Sequence, residues 1–129
     1  MYTVSLQLPF QAQHFLIGGD WGEENHLHSH DYRAEWILEG PSLDQHGYLL
    51  DLVAVEERLG AEIGRIRGCL LNDLDAFRGL NPSVERLARH LSDRLLSDRS
   101  RWDAGRLARS TVRVWENDKA CAAWTTELS

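Results

Sequence analysis

The sequence predicts an α+β domain in which an antiparallel sheet carries its helices on one side. Three observations carry this expectation. Apolar and polar residues alternate through two stretches of the first forty positions, apolar residues then recur at helical spacing in two later segments, and alternation returns near the C-terminus.

The first strand is expected over residues 2–10, where Tyr2, Val4, Leu6, Leu8 and Phe10 alternate with Thr3, Ser5 and Gln7. The following stretch holds Gly18, Gly19, Asp20 and Gly22 and reads as a loop able to carry chemistry. A second alternating run begins at His26 and continues through His28, His30, Tyr32, Ala34, Trp36 and Leu38, with Asp31, Arg33 and Glu35 on the other face. Glu39 to Gly47 is turn-rich, and Tyr48 to Leu52 reads as the returning strand of a hairpin. Leu52, Val55, Leu59, Ile63 and Ile66 then predict an amphipathic helix over 53–66, weakened by Gly60 and Gly64. Asn81-Pro82 offers a helix start, and Val84, Leu87, Ala88, Leu91 and Leu95 mark one face of a second helix. Residues 97–109 are charged and read as a loop. Val112, Val114 and Glu116 share a face of a last strand over 111–116.

A chain of 129 residues is long enough to bury a core without disulfide staples, and it reads as a single domain over 1–129. Fourteen Lys and Arg stand against twenty Asp and Glu, a net charge of −6 and the wrong sign for gripping nucleic acid through its phosphates. No apolar run is long enough to cross a bilayer, so no membrane partner and a cytoplasmic location are expected. Cys69 and Cys121 are the only cysteines, too few for a disulfide framework or a cysteine-rich zinc site.

The histidines share the apolar face of the second strand. Residues i and i+2 of a strand point the same way, about 7 Å apart at their Cα atoms, so His28 and His30 can converge on one ion. Such a pair suits zinc, and three imidazoles with one open position form a zinc site of the catalytic type. His14 is a candidate third ligand because it follows the first strand closely. The competing reading is a pair of ordinary histidines on a strand edge, but two inward imidazoles would need buried partners that a metal supplies. His26 lies on the same face, as a ligand or as a loop residue near the site. His46 and His90 read as solvent-facing structural residues.

Taken together, Phe10-Gln11-Ala12-Gln13-His14, His28-Ser29-His30-Asp31-Tyr32, Gly47-Tyr48-Leu49-Leu50-Asp51, Leu71-Asn72-Asp73, Asn81-Pro82-Ser83-Val84-Glu85-Arg86-Leu87-Ala88 and Val114-Trp115-Glu116 resemble the 6-pyruvoyl-tetrahydropterin synthase and 6-carboxytetrahydropterin synthase family. The resemblance is ordered and spans most of the chain. It implies the tunnelling fold, a four-stranded antiparallel sheet with two helices on one face, whose subunits form barrels, so a homo-oligomer, trimer or hexamer, is expected. It also implies zinc on His14, His28 and His30, a dihydropterin substrate, Glu116 as the acid that anchors the pterin ring, and Glu85 as a second substrate-binding acid, with Ser83 where the family carries threonine.

Two departures stand out. The family's cysteine, four residues before the first histidine of its pair, is replaced by Glu24, and its Asp-His pair by Arg67 and Gly68. Glutamate at the cysteine position occurs in members that cleave the dihydroneopterin side chain, which makes Glu24 the candidate general base. Cys69, beside the lost pair, is either a substitute base or a small buried hydrophobe. The expected function is a zinc-dependent lyase or synthase acting on a dihydropterin side chain. The alternatives are a pterin-binding homologue without turnover and a metalloenzyme for another purine-like ligand.

Overall fold

A computed structural model describes all 129 residues. Four strands form one sheet in the order β1-β2-β3-β4. β1 (Tyr2–His14) and β2 (His28–Gly40) pair antiparallel along their full length, from Tyr2 opposite Gly40 to His14 opposite His28. β3 (Arg109–Trp115) pairs with the other edge of β2, and β4 (Cys121–Glu127) pairs with β3. Period-2 alternation sends the even-numbered side chains of β1, β2 and β3 to one face, where Phe10, Ala12, Tyr32, Ala34, Trp36, Leu38, Val112 and Val114 are buried.

Two helices cover that face. α1 (Leu52–Ile66) starts where the Asp51 carboxylate accepts the Val53 N–H at 2.9 Å, and it buries Val55, Leu59, Ile63 and Ile66. α2 (Val84–Leu96) starts where the Ser83 hydroxyl accepts the Arg86 N–H at 3.2 Å, and it buries Leu87, Ala88, Leu91 and Leu95. These residues and the inward face of the sheet make one hydrophobic cluster. Each fully buried leucine contributes about 1.5–3 kcal/mol by leaving water, so the core fixes the strand faces and with them the direction in which the histidines point.

The outer face of the sheet is polar. Glu35, only 8% exposed, accepts from Gln7 at 3.3 Å and from Arg113 at 3.4 Å, and Arg33 lies over the Trp115 ring at 4.8 Å. Past Pro9, the edge of β1 is covered by residues 67–70: Gly68 N–H donates to the Gln11 carbonyl at 2.7 Å and Gln13 N–H to the Cys69 carbonyl at 2.9 Å. No helix is long and apolar enough to cross a membrane.

Four boundaries differ from the sequence reading. β1 runs on to His14, because Ala12 and His14 continue the inward parity beyond Phe10. β2 begins at His28 and ends at Gly40, leaving His26 in the preceding loop. Tyr48 to Leu52 is not a strand. Both edges of β2 are already taken by β1 and β3, Asp44 accepts the Tyr48 N–H at 3.1 Å in a turn, and the apolar run instead leads through the Asp51 cap into α1. The fourth strand is β4, which lies beyond the last predicted element and follows a turn in which Asn117 accepts the N–H groups of Lys119 and Ala120.

Candidate metal centre

His14, the last residue of β1, sits directly across the ladder from His28, the first residue of β2. His30 is one step further in on the same face, stacked on His14 with ring centroids 4.5 Å apart. The His14 and His28 rings are also 4.5 Å apart, and those of His28 and His30 are 4.6 Å apart. A carboxylate joins them from the loop between the strands: Glu24 Oε2 lies 2.8 Å from His28 Nε2 and 3.4 Å from His14 Nε2. Potential ligand atoms of these four residues all lie within 4.8 Å of one another.

The donor chemistry fits a divalent cation. His28 Nδ1 lies 2.7 Å from the His26 carbonyl, which can only accept, so Nδ1 carries the proton and a neutral ring presents a bare lone pair at Nε2. That nitrogen is 2.7 Å from His30 Nε2 and also faces the Glu24 carboxylate. The His28 lone pair and the carboxylate oxygen repel one another unless a positive centre, a proton or a cation, is shared between them. Three imidazoles with a carboxylate close by form a zinc-type donor set, and orientation of His28 by a backbone carbonyl is the usual outer-shell support for a metal-bound imidazole.

Tyr32 gives His14 the same support. Its hydroxyl lies 2.7 Å from His14 Nδ1, its ring stacks on Phe10 with centroids 5.2 Å apart, and both His14 and Tyr32 are buried. Burial holds His14 below the ordinary imidazole value, and the neighbouring His30 adds to that effect. Burial also raises the Tyr32 phenol, helped by the negative charges of Glu116 and Glu24, so Tyr32 remains a neutral hydrogen-bonding group.

Glu24 reaches the cluster because its loop is tied down. Leu16 N–H donates to the Glu24 carbonyl at 2.7 Å, and Asn25 Nδ2 donates to the Leu16 carbonyl at 3.2 Å. Two asparagine side chains then act as substitute strand partners. Asn72 accepts the Phe15 N–H at 3.0 Å and donates to the Phe15 carbonyl at 2.9 Å, while Asn81 does the same for Ile17 at 2.7 and 3.2 Å. The positive φ of +65° at Gly22 lets the loop turn into the short 3₁₀ segment Gly22–Asn25 that presents Glu24.

A cavity of about 380 Å³ opens beside the cluster. His14, His30, Glu24 and Tyr32 form part of its wall, Pro82 to Glu85 ahead of and within the first turn of α2 form another part, and Glu116, just past β3, lines it too. The structure therefore brings His14, His28, His30, Glu24, Glu85 and Glu116 to one place. His26 contributes its backbone carbonyl, and its side chain is exposed. Cys69 does not line the cavity; its thiol faces the carbonyls of Arg65 and Arg67. Arg67 and Gly68 are also elsewhere, bonded to the edge of β1 at Pro9 and Gln11. His46 is exposed as expected, whereas His90 is half-buried against Phe77 with ring centroids 5.4 Å apart. Sequence reasoning assigned no role to Tyr32, although its position two residues after His30 was a signal. Asn81 was expected at a helix start; Ser83 is the cap, and the two asparagines reveal their part only in three dimensions.

A four-stranded antiparallel sheet backed by two helices, with a histidine cluster where its two longest strands meet, defines a tunnelling-fold protein. The sequence model for 6-pyruvoyl tetrahydropterin synthase matches residues 3–127, and the chain belongs to that family. Among solved structures, it is similar to the 6-pyruvoyl tetrahydropterin synthase of Plasmodium falciparum at 15% identity, with 98% of each chain covered and a TM-score of 0.81. The Caenorhabditis elegans synthase is 20% identical over 99% of this chain and 96% of its own, with a TM-score of 0.78. A Plasmodium vivax synthase variant, in which a catalytic glutamate is replaced by alanine, is 14% identical over 99% of this chain and all of its own, with a TM-score of 0.79. No curated protein matches the chain by sequence.

Proposed function

We propose that the protein is a zinc-dependent enzyme acting on the side chain of a dihydropterin. One observation carries the reading. The histidine cluster, Glu24 and the two further acids, Glu85 and Glu116, meet at a single cavity whose size suits a small bicyclic ligand. His14, His28 and His30 hold the ion, which when bound supplies Lewis-acid polarisation of a side-chain hydroxyl. Glu116 accepts two N–H bonds from the pterin amino group and ring nitrogen, a bidentate task suited to a carboxylate. Glu85 adds an acceptor from the first turn of α2.

Glu24 is the base. Its carboxylate is in the cavity wall and 2.8 Å from His28 Nε2, so it can take the proton of a side-chain hydroxyl as that C–O becomes C=O and the adjoining C–C bond breaks, and deliver it to the carbon that keeps the electron pair. The P. vivax synthase also has a glutamate as a catalytic residue. The chain acts as one domain and as a homo-oligomer: the edge of β1 before Pro9 and the outer edge of β4 carry no further strand and offer open backbone to a second copy. Two free cysteines suit a reducing cytoplasm.

The test is to incubate the zinc-loaded protein with 7,8-dihydroneopterin and with its triphosphate, following products by mass spectrometry with Glu24→Gln in parallel. Side-chain cleavage or triphosphate loss that falls about 10²–10⁴-fold in Glu24→Gln, at unchanged zinc content, supports the reading. Zinc loss in that variant would make Glu24 a ligand instead. Ligand binding without turnover would leave a pterin-binding homologue, and indifference of binding to Glu116→Gln would point to another purine-like ligand.

A further inference from the structure

We propose that Asn81 is a positioning residue for Glu24, fixing the loop that carries this carboxylate against the part of the cavity wall formed by the start of α2. This deepens the reading above and rests on it. Two separate stretches of chain contribute to the wall, Leu16 and Glu24 from the loop and Pro82 to Glu85 from the start of α2. Asn81 belongs to both. Its main chain runs directly into Pro82, while its side chain accepts the Ile17 N–H at 2.7 Å and donates to the Ile17 carbonyl at 3.2 Å.

From Ile17 the hold reaches Glu24 in one step. The adjacent Leu16 N–H donates to the Glu24 carbonyl at 2.7 Å, and the Leu16 carbonyl accepts from Asn25 Nδ2 at 3.2 Å. Asn81 is itself well founded: its carbonyl accepts the Ser83 N–H at 2.9 Å and Arg86 Nη1 at 3.0 Å, Pro82 behind it is buried, and α2 then carries Leu87, Ala88, Leu91 and Leu95 into the core. The loop has no such anchorage of its own. Its apolar side chains Ile17, Trp21 and Leu27 are exposed, so polar ties rather than burial decide where it lies.

Asn72 sets the contrast. It makes the same pair of bonds to Phe15, at 3.0 and 2.9 Å, but it comes from the segment Leu71–Asp73, none of which lines the cavity. Losing Asn72 frees the end of β1, whereas losing Asn81 lets Glu24 drift from the wall against which a ligand rests. The task also needs an amide, because one side chain must accept from the N–H and donate to the carbonyl of a single residue, and a carboxylate only accepts. Displacing a reacting group by about 1 Å can cost about 100-fold in rate, so a tie of this kind matters to the chemical step.

The experiment is steady-state kinetics of the full-length zinc-loaded protein with 7,8-dihydroneopterin, on Asn81→Ala alone and in the Glu24→Gln background. Asn81→Ala should lower kcat about 10–100-fold at unchanged zinc content. It should add less than about twofold once Glu24→Gln has removed the carboxylate, the non-additivity of two residues that act as one unit. An equal loss in both backgrounds is the mark of general loosening and overturns the inference while leaving the pterin reading standing. Asn72→Ala should lower kcat less than Asn81→Ala does, and an equal loss in these two has the same force. A second readout needs neither metal nor turnover: amide exchange at Leu16, whose N–H bonds the Glu24 carbonyl, should be at least about tenfold faster in metal-free Asn81→Ala, and unchanged exchange overturns the inference. If Asn81→Ala does not fold, Asn81→Asp, which is isosteric and loses only the bond to the Ile17 carbonyl, takes its place in each comparison with a smaller loss of the same kind. Absence of turnover in the parent protein overturns the enzymatic reading and this inference with it.

Discussion

Replacing Tyr32 by Phe removes one oxygen from the support of the metal centre and almost nothing from the packing. The ring is buried at 3% exposure and stacks on Phe10 at 5.2 Å, contacts that phenylalanine keeps. What disappears is the partner of His14 Nδ1 at 2.7 Å, in a site where His14 itself is 7% exposed. A buried polar group left without its hydrogen bond costs about 1–3 kcal/mol. With metal bound through Nε2, the Nδ1–H is the orphan, so the penalty falls on the bound state, and 1.4 kcal/mol corresponds to about tenfold in affinity. Zinc affinity should therefore fall about 10–100-fold, the range usual for loss of an outer-shell partner. Competition against a chromophoric chelator measures this directly, and urea unfolding of the metal-free protein separates it from general destabilisation. Zinc affinity within twofold of the parent protein would refute the assignment of Tyr32 as the group that positions His14.

Other expectations follow from the same geometry. Gly64 lies within α1, and a Cβ there meets no atom within 4 Å, so Gly64→Ala should raise stability by about 0.5–1 kcal/mol in chemical denaturation. Gly40 is the opposite case: a Cβ would collide with the Arg106 carbonyl oxygen and would meet Leu49 Cδ1 at 2.7 Å, so Gly40→Ala should lower the unfolding midpoint. Burial holds both His14 and His90 below the ordinary value of 6.5, so the unfolded chain binds more protons than the folded one as pH drops. Metal-free protein should keep its full stability above pH 6.5 and lose it as pH falls from there through the lowered folded values, and His90→Leu should flatten that slope in pH-dependent urea titrations. Asn72→Ala leaves the Phe15 N–H and carbonyl unmet, which should cost about 1–3 kcal/mol and speed amide exchange across residues 15–24.

The histidine cluster was legible because strand parity is a strong constraint. His28, His30 and Tyr32 share the face of Ala34, Trp36 and Leu38, and a core that buries Trp36 at 1% exposure leaves β2 no freedom to turn that face outward. The helices were legible for the same reason, through apolar spacing that the core rewards. The error at Tyr48 to Leu52 has an equally definite cause: a short apolar run carries no period of its own, and only the occupied edges of β2 exclude a third partner there. β4 escaped because its inward positions, Ala122, Trp124 and Thr126, remain partly exposed against α2, so its alternation is too weak in hydrophobicity to read. The family resemblance supplied the roles of Glu24, Glu85 and Glu116; local pattern marks only Glu116, through its parity with Val112 and Val114, since Glu24 sits in a loop and Glu85 in a first helical turn. Asn72 and Asn81 bond to backbone 57 and 64 residues away, and no local pattern encodes such a contact.

The cavity thus divides its work between two kinds of structure. Its histidine half is built on paired strands, where His14 faces His28 across the ladder and a slip of one residue would send His28, His30 and Tyr32 together to the polar outer face. Its Glu24 carboxylate is carried by a loop that the asparagine clamps and the Leu16 N–H bond to the Glu24 carbonyl hold against the sheet. Because the loop is held through its backbone and through Asn25, none of these contacts uses the Glu24 side chain. The course of the loop is therefore set without the Glu24 carboxylate, which is left to face His28 at 2.8 Å and His14 at 3.4 Å.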